Sequence, residues 1–511
     1  YRPYSREQAA YPAEWVRRGK SDSIRHPMRE TILAVTRFVL LLLSITSLTA
    51  CDSAIRIGIE PTVTVVMPTT DETPALLPTA SASPDETPPS VATVLPSLTD
   101  TSTTTSLTTP TAEPLLILPL NTQSVSGSVT DIALSNDGRY AAIIQDGRLY
   151  WYDTILSEAK PVRPFGQPFA GTVFAADLSP DGSIVAYWAI TAAANDIPSE
   201  AECRNPDSPV CAALFIHDVV AGTTVSFPFG VQVGGLDRPY LSVAVADNGL
   251  VAASGDGLIR SGTFLIDSRA AAEPLQVSAE AIAVSLTGDG RFLAYLTSDS
   301  AFLYDTQSNA SKPATADWPE SIAWHDIAPT QLDVSDDGRY LVLASTANLS
   351  DTPLSPCTHI PDQELPFCRH VYLVDSQTQR VELISLSDNG EPANGVSLRA
   401  AISGDGHFVL FDSFANNLTS DSVCPEPLTR CPQVYLRDRE QGRTILLSRG
   451  LDGEVANDGS FAADLSADAA YAAMISGATN LSTAATPAPF YSRKGYLVDL
   501  NSVLDHDHDS P

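Results

Sequence analysis

One pattern returns seven times along residues 121–500, and it restricts the chain to few architectures. Each copy holds a short apolar stretch, a turn containing Asp-Gly, a second apolar stretch, a gap of variable length, and a third stretch that closes on Asp. The first copy reads Thr130-Asp-Ile-Ala-Leu-Ser-Asn-Asp-Gly-Arg-Tyr-Ala-Ala-Ile-Ile144, then Leu149-Tyr-Trp-Tyr-Asp153. The fifth reads Gln331-Leu-Asp-Val-Ser-Asp-Asp-Gly-Arg-Tyr-Leu-Val-Leu343, then Val371-Tyr-Leu-Val-Asp375. The turn falls at Asp137, Asp181, Asn248, Asp289, Asp337, Asp405 and Asp468, and Gly follows each time except the last, where Ala469 stands. Asp-Gly and Asn-Gly mark tight hairpins, because Gly accepts positive φ without a steric penalty. The closing Asp recurs at Asp153, Asp218, Asp267, Asp305, Asp375, Asp438 and Asp499, in strict alternation with the turns.

Aligned on the turn, the copies show their core positions. Three residues before it stand Leu134, Leu178, Val245, Leu286, Val334, Ile402 and Leu465; two further back stand Ile132, Ala176, Val243, Val284, Leu332, Ala400 and Ala463. A period of two is a strand. Intervening residues such as Ser135, Ser179, Ser335, Ser403 and Ser466 are small, as a strand beside a crowded axis requires. Copies of this size with three or four strands each are radial blades, and the expected fold is all-β, a seven-bladed β-propeller over residues 115–500. The turns are spaced by about 55 residues against ~40–45 for a plain blade, so some blades carry insertions. The last third strand, Lys494–Asp499, is followed only by an acidic tail, residues 501–511, so its outer strand is missing. Leu115-Leu-Ile-Leu-Pro-Leu120 is expected to supply it and close the ring, with Pro119 suited to an edge.

The Ser-x-Asp-Gly-Arg-Tyr turn and the following Tyr-Leu-x-Asp strand resemble those of the bacterial TolB-like, WD40-like (PD40-type) propeller repeats. Blades five to seven add Ala347-Asn-Leu-Ser350, Asn416-Asn-Leu-Thr419 and Thr479-Asn-Leu-Ser482. The resemblance covers about residues 121–500 and implies a propeller used mainly to bind proteins and ligands, sometimes beside a hydrolase.

Ahead of the repeats, Met28 opens a segment with Arg29 and Arg37, an apolar run from Phe38 to Leu48, and Leu48-Thr49-Ala50-Cys51. This resembles a bacterial lipoprotein signal, residues 28–50, which implies cleavage before Cys51 and lipid on its sulfur. The alternative is a membrane-spanning helix, which needs ~20 apolar residues. Residues 1–27 then form an upstream extension with no role in the mature protein. Residues 51–114, rich in Thr, Pro and Ser, have too little apolar bulk to offset chain entropy and are expected to be a disordered tether. The expected location is extracytoplasmic, at the cell envelope, with the membrane engaged through the lipid alone.

Six further cysteines form local pairs, Cys203/Cys211, Cys357/Cys368 and Cys424/Cys431, each between the second and third strands of blade two, five or six. In an exported protein this predicts three disulfides stapling three long loops. A metal site is the poorer alternative: there is no Cys-x-x-Cys, and His359 and His370 flank only one pair. All second-to-third-strand loops leave a propeller on one face, and stiff loops bind with less ordering cost. That face is the expected recognition surface.

The formal charge is −31, which repels nucleic acid and favours cationic partners or divalent cations. No Gly-x-Ser-x-Gly elbow, His-Glu-x-x-His helix or phosphate-binding Gly-x-x-x-x-Gly-Lys loop occurs. His217, His325 and His407 share no register and are expected in the core or on the surface. Asp177, Asp333 and Asp464 stand four residues before the turn in blades two, five and seven; they could line the axis and hold a cation such as calcium, or bond local backbone. The tail Asp505-His-Asp-His-Asp509 is expected to be solvated. The chain is therefore expected to be a monomeric binding propeller for a protein, peptide or glycan, without catalysis and with no cofactor beyond such a cation. The rivals are a glycosidase-like hydrolase with paired carboxylates at the channel mouth, and a purely structural envelope component.

Overall fold

The computed structural model describes residues 117–120, 127–163, 171–191, 211–232, 241–256, 260–270, 272–280, 282–297, 300–315, 327–354, 357, 368–420, 431–451, 453–482 and 492–504. The expectations for residues 1–114, for Cys51, Cys203 and Cys424, for His325 and for the tail beyond Leu504 lie outside these residues.

Seven four-stranded antiparallel sheets form the ring. Blade one consists of Val129–Leu134, Tyr140–Gln145, Arg148–Asp153 and Glu158–Pro161, paired in that order. The innermost strands of blades two to seven are Thr172–Leu178, Ser242–Val245, Ala283–Leu286, Ile327–Val334, Ser397–Ile402 and Ser460–Leu465. Blade seven is completed from the other end of the repeat array: Ile117–Leu120 pairs antiparallel with Lys494–Asp499, Ile117 opposite Val498 and Leu120 opposite Gly495. A single helical turn, Asn501–Leu504, follows.

The apolar core is divided among the blade junctions. Seven buried clusters each join two neighbouring blades, the last one joining blades seven and one through Leu120, Ile132, Ile143 and Leu497. Between blades two and three the fully buried Trp188 meets Phe229 edge-on at 4.7 Å, and Phe229 meets Phe264 at 5.3 Å. Burying an aromatic ring of this size contributes roughly 1.5–3 kcal/mol.

Each residue of the repeated turn has a mechanical role. The Ser135 hydroxyl donates to Asp137 Oδ1 at 2.8 Å, the same oxygen accepts the Arg139 amide at 3.0 Å, and the Tyr140 amide donates back to Ser135 Oγ at 2.9 Å. The same three bonds recur in blades two, four, five, six and seven. The recurring small residue is thus explained by the turn it locks, a reason more local than axial crowding. Arg139, Arg291 and Arg339 lie over the next residue's ring and reach the closing Asp of their own blade, closest in Arg339–Asp375 at 2.8 Å. In blade six His407 takes the arginine's place, 2.8 Å from Asp438 and stacked on Phe408. The aromatic then packs on the turn of the following blade, Tyr140 on Gly182 and Tyr471 on Gly138, where a Cβ would collide with the ring. The closing Asp caps the tight connection to the outer strand, as Asp153 does for the amides of Ile155 and Leu156.

Candidate functional site

The seven innermost strands surround an axial channel with a cavity of about 420 Å³, to which every blade contributes. One face of the ring carries the turns just described. The opposite face carries the second-to-third-strand loops and the connections between blades.

Besides Asp336 at the turn face, four half-buried carboxyl groups line the channel: Asp131, Asp177, Asp333 and Asp464. The last three are the cation candidates expected from the sequence, and they do share one structural position. Each reaches the next blade. Asp177 Oδ2 accepts the Val245 amide at 2.7 Å, Asp333 Oδ2 the Ile402 amide at 2.8 Å, and Asp464 Oδ2 the Leu134 amide at 2.7 Å. Their other oxygens are engaged as well: Asp333 Oδ1 takes the Val334 amide at 2.8 Å and the Ser285 hydroxyl at 3.0 Å, and Asp464 Oδ1 the Leu465 amide at 2.8 Å. Among the described residues no three His, Cys, Asp or Glu side chains are grouped so as to hold a metal ion.

The remaining junctions are bridged by other polar side chains. Asp131 of blade one takes the Ala176 amide of blade two. Ser242 of blade three exchanges hydrogen bonds with both backbone groups of Val284 in blade four, each 3.2 Å long. Ser285 links blade four to Asp333 in blade five. Asp412 of blade six accepts the Ala462 amide of blade seven at 3.3 Å, while Arg399 Nη1 donates to the Ala462 carbonyl at 3.3 Å. A polar side chain therefore crosses every junction near the axis.

Burial decides the protonation of these acids. It raises Asp177 to about 7 against the lowering effect of the Leu178 and Val245 amides. It raises Asp464 well above the ordinary carboxylate range, with the charges of Asp333 and Asp177 adding to the effect. Asp333 and Asp131 are raised by the same cause. Asp412 is raised by burial to about 7, although Arg399 pulls it down.

On the loop face, the expected Cys357–Cys368 disulfide is present in blade five. Cys431 is also disulfide-bonded, with its partner outside the described residues. Cys211 corrects the sequence expectation, which placed both cysteines of each pair in the gap between strands. It is instead the first residue of the third strand of blade two, Cys211–Asp218, with Thr191 opposite it on one side and Gln232 on the other. The reason is the apolar run Ala212–Ile216, which lets the ladder with Ile184–Thr191 continue to the end of both strands. A bond from Cys211 to Cys203 is not among those the structure describes, because Cys203 lies outside the described residues.

The Asn-Leu corners of blades six and seven latch the connections between blades. Asn417 donates to the Pro392 carbonyl at 2.9 Å and accepts the Asn394 amide at 2.9 Å; Asn480 does the same with Val455 at 3.1 Å and Asn457 at 3.0 Å. Leu418 and Leu481 anchor these corners in the core. Of the histidines singled out in the sequence, His217 meets the Thr224 hydroxyl at 2.8 Å and is depressed by burial, while His407 serves its turn.

Sequence reasoning missed Asp131, Asp412 and Arg399. The signal for two of them is a departure from the repeat. Six residues before the turn stand Asp131, Ala175, Ser242, Ala283, Gln331, Arg399 and Ala462, so charge enters at this position only in blades one and six.

No protein-family model and no curated protein matches the chain. Solved structures do. U3-55K is 12% identical with a TM-score of 0.43, over 76% of this chain and 100% of that one. The RRP9 WD40 repeats are 11% identical with a TM-score of 0.43, over 76% of this chain and 98% of that one. An oligogalacturonate lyase in complex with manganese is 16% identical with a TM-score of 0.36, over 62% of this chain and 78% of that one. The propeller assignment stands on the seven sheets themselves.

Proposed function

We propose that this chain is a binding propeller without catalytic activity, a lipoprotein of the TolB-like kind held at the cell envelope through Cys51, whose loop face captures a protein, peptide or glycan. The observation that carries this is how the channel carboxylates are used. A glycosidase needs one ionised carboxylate and one acid, both facing substrate. Four of the five described channel acids, Asp131, Asp177, Asp333 and Asp464, instead hold the amides of neighbouring blades, the fifth, Asp336, standing at the turn face, and burial favours the neutral form of all five. The scaffold is stiff, and on the loop face Cys357–Cys368 cross-links one long loop. Pair Cys424/Cys431 would cross-link a second, and pair Cys203/Cys211 would tie a third to the first residue of its strand.

The test is capture of envelope components by the full chain, by the chain treated with reductant, and by a chain lacking residues 424–431. Capture is expected to weaken in the last two with the propeller's β circular dichroism unchanged. Undiminished capture would defeat the proposal.

A further inference from the structure

Where a repeat departs from its own pattern, the fold does not dictate the residue. The position six before the turn is Ala or Ser in four blades, and blade six places Arg399 there, at the loop-face end of its innermost strand. Arg399 lines the axial cavity. Its guanidinium lies 5.7 Å from the Phe461 ring, and that of Arg493 lies 4.2 Å from the same ring. Arg493 ends the long loop of blade seven; its amide donates to Ser128 Oγ at 3.2 Å and its carbonyl accepts the Val129 amide at 2.9 Å, so its backbone is fixed.

Two cations thus share one aromatic ring, and of the three residues Arg399 lines the channel. Among the described residues the Arg493 guanidinium has no hydrogen bond or ion pair within 4 Å, and Arg399 has only the Ala462 carbonyl. Arg493 is exposed, and partial desolvation together with the charge of Arg399 makes its own charge less favourable, against the pull of Asp458 and Asp412. The nearby counter-charges are Asp458 for Arg493, Asp131 for Arg399 and Asp412 for both; Asp412 is fully buried, with Oδ2 lacking any hydrogen-bond partner. Burial favours the neutral forms of Asp412 and Asp131, so against Asp458 the two guanidiniums keep a surplus of positive charge in a chain whose net charge is −31. Guanidinium pairs are well suited to planar oxyanions. The surplus is small and the surrounding field is negative, which favours a single charge over a doubly charged phosphate. Across the same cavity, Phe174 of blade two is 43% exposed and offers an apolar surface to the rest of a ligand.

We propose that the loop-face mouth of the channel is a binding site for a ligand carboxylate, held between Arg399 and Arg493, with the ligand's body in the cavity toward Phe174. The proposal deepens the binding function above and rests on it only for the choice of face. The carboxylate can come from a peptide C-terminus or from a sugar acid.

Titration calorimetry on the full chain separates these sources. The probes are a tetrapeptide with a free C-terminal carboxylate and an apolar last residue, its C-terminal amide, glucuronate, glucose, and inorganic phosphate. At least one acid is expected to bind, its neutral counterpart at least tenfold more weakly, and whichever pair shows this identifies the source. R493Q is expected to weaken the acid at least tenfold without changing the melting temperature; R493K, which keeps the charge and loses the fork, is expected to recover part of it. The proposal is overturned if neither acid binds at millimolar concentration, if acid and neutral forms bind alike, if phosphate binds more tightly than both acids, or if R493Q leaves affinity unchanged. Loss of acid binding with intact loop-dependent capture would remove this site alone. R493-dependent acid binding with capture indifferent to loop deletion would remove the loop proposal alone.

Discussion

Asp464 Oδ2 accepts the backbone amide of Leu134 at 2.7 Å across 330 positions of sequence, so the ring is closed at its axis as well as at its rim. The equivalent bonds from Asp177 to Val245 and from Asp333 to Ile402 make this one device used three times.

The device sets a pH dependence. Asp177 and Asp464 have folded-state values raised above their unfolded ones, so the stability linked to their protons is fully present below about pH 4 and is lost as pH rises through the folded value, about 7 for Asp177. Asp177 contributes on the order of a few kcal/mol across that window, and Asp464 adds to it in the same direction. The melting temperature is expected to fall between pH 5 and pH 8. In D177N, which keeps an acceptor oxygen for Val245 and removes the proton, that fall should be shallower. A melting temperature flat across this range in the wild-type chain contradicts the assignment.

Two glycines with similar backbone angles separate local strain from contact between blades. Gly182 (φ 75°) lies under the Tyr140 ring, whereas Gly222 (φ 66°) has nothing within 4 Å of an added Cβ. G222A should cost about 1 kcal/mol, the penalty of a side chain in the left-handed region. G182A adds the collision and should cost about 2–4 kcal/mol. Denaturant titration measures the difference, and equal costs would mean that the ring contact contributes nothing.

Removing the Cys357–Cys368 cross-link with C357S/C368S should lower stability by at most about 2–3 kcal/mol, the loop-closure entropy of so short a segment. Reductant should reproduce the loss in the wild-type chain and have a smaller effect in the double variant, which calorimetric scans at matched pH would show.

Ring closure at the rim can be tested by deletion. A chain beginning at residue 121 lacks Ile117–Leu120 and leaves the Lys494–Asp499 edge unpaired. It is expected to melt at lower temperature and to self-associate in sedimentation experiments, because open edges template pairing. A monomeric, equally stable truncation would deny that strand its role.

The blades, the turns and the closing strand were legible because each rests on a local rule repeated seven times. Asp-Gly specifies the hairpin, period-two apolar residues specify the strand, and the absence of an outer partner for Lys494–Asp499 points to the segment ahead of blade one. Strand ends were less legible: Cys211 reads as loop because nothing in its own chemistry shows that the ladder from Ala212 runs one residue further. The axial acids were legible only in part. Asp177, Asp333 and Asp464 could be aligned, but their partners, the amides of Val245, Ile402 and Leu134, carry no sequence signal, since any residue supplies an amide. Asp131 and Asp412 serve the same purpose from other registers and escaped the alignment. Arg399 was hidden for the opposite reason: aligning repeats emphasises what they share, and Arg399 is what one blade does not share. Asn417 and Asn480 were visible as a motif, yet their roles depend on Asn394 and Asn457, more than twenty positions away and in a different part of the repeat.

The four-residue pairing of Ile117–Leu120 with Lys494–Asp499 also fixes where the domain would bear a mechanical load. Tension applied to the polypeptide ahead of Ile117 enters through the outermost strand of blade seven, whose ladder to Lys494–Asp499 is the first to bear it. Resistance to pulling is therefore decided by a handful of ladder bonds at the periphery, a quantity separate from the resistance of the whole ring to heat.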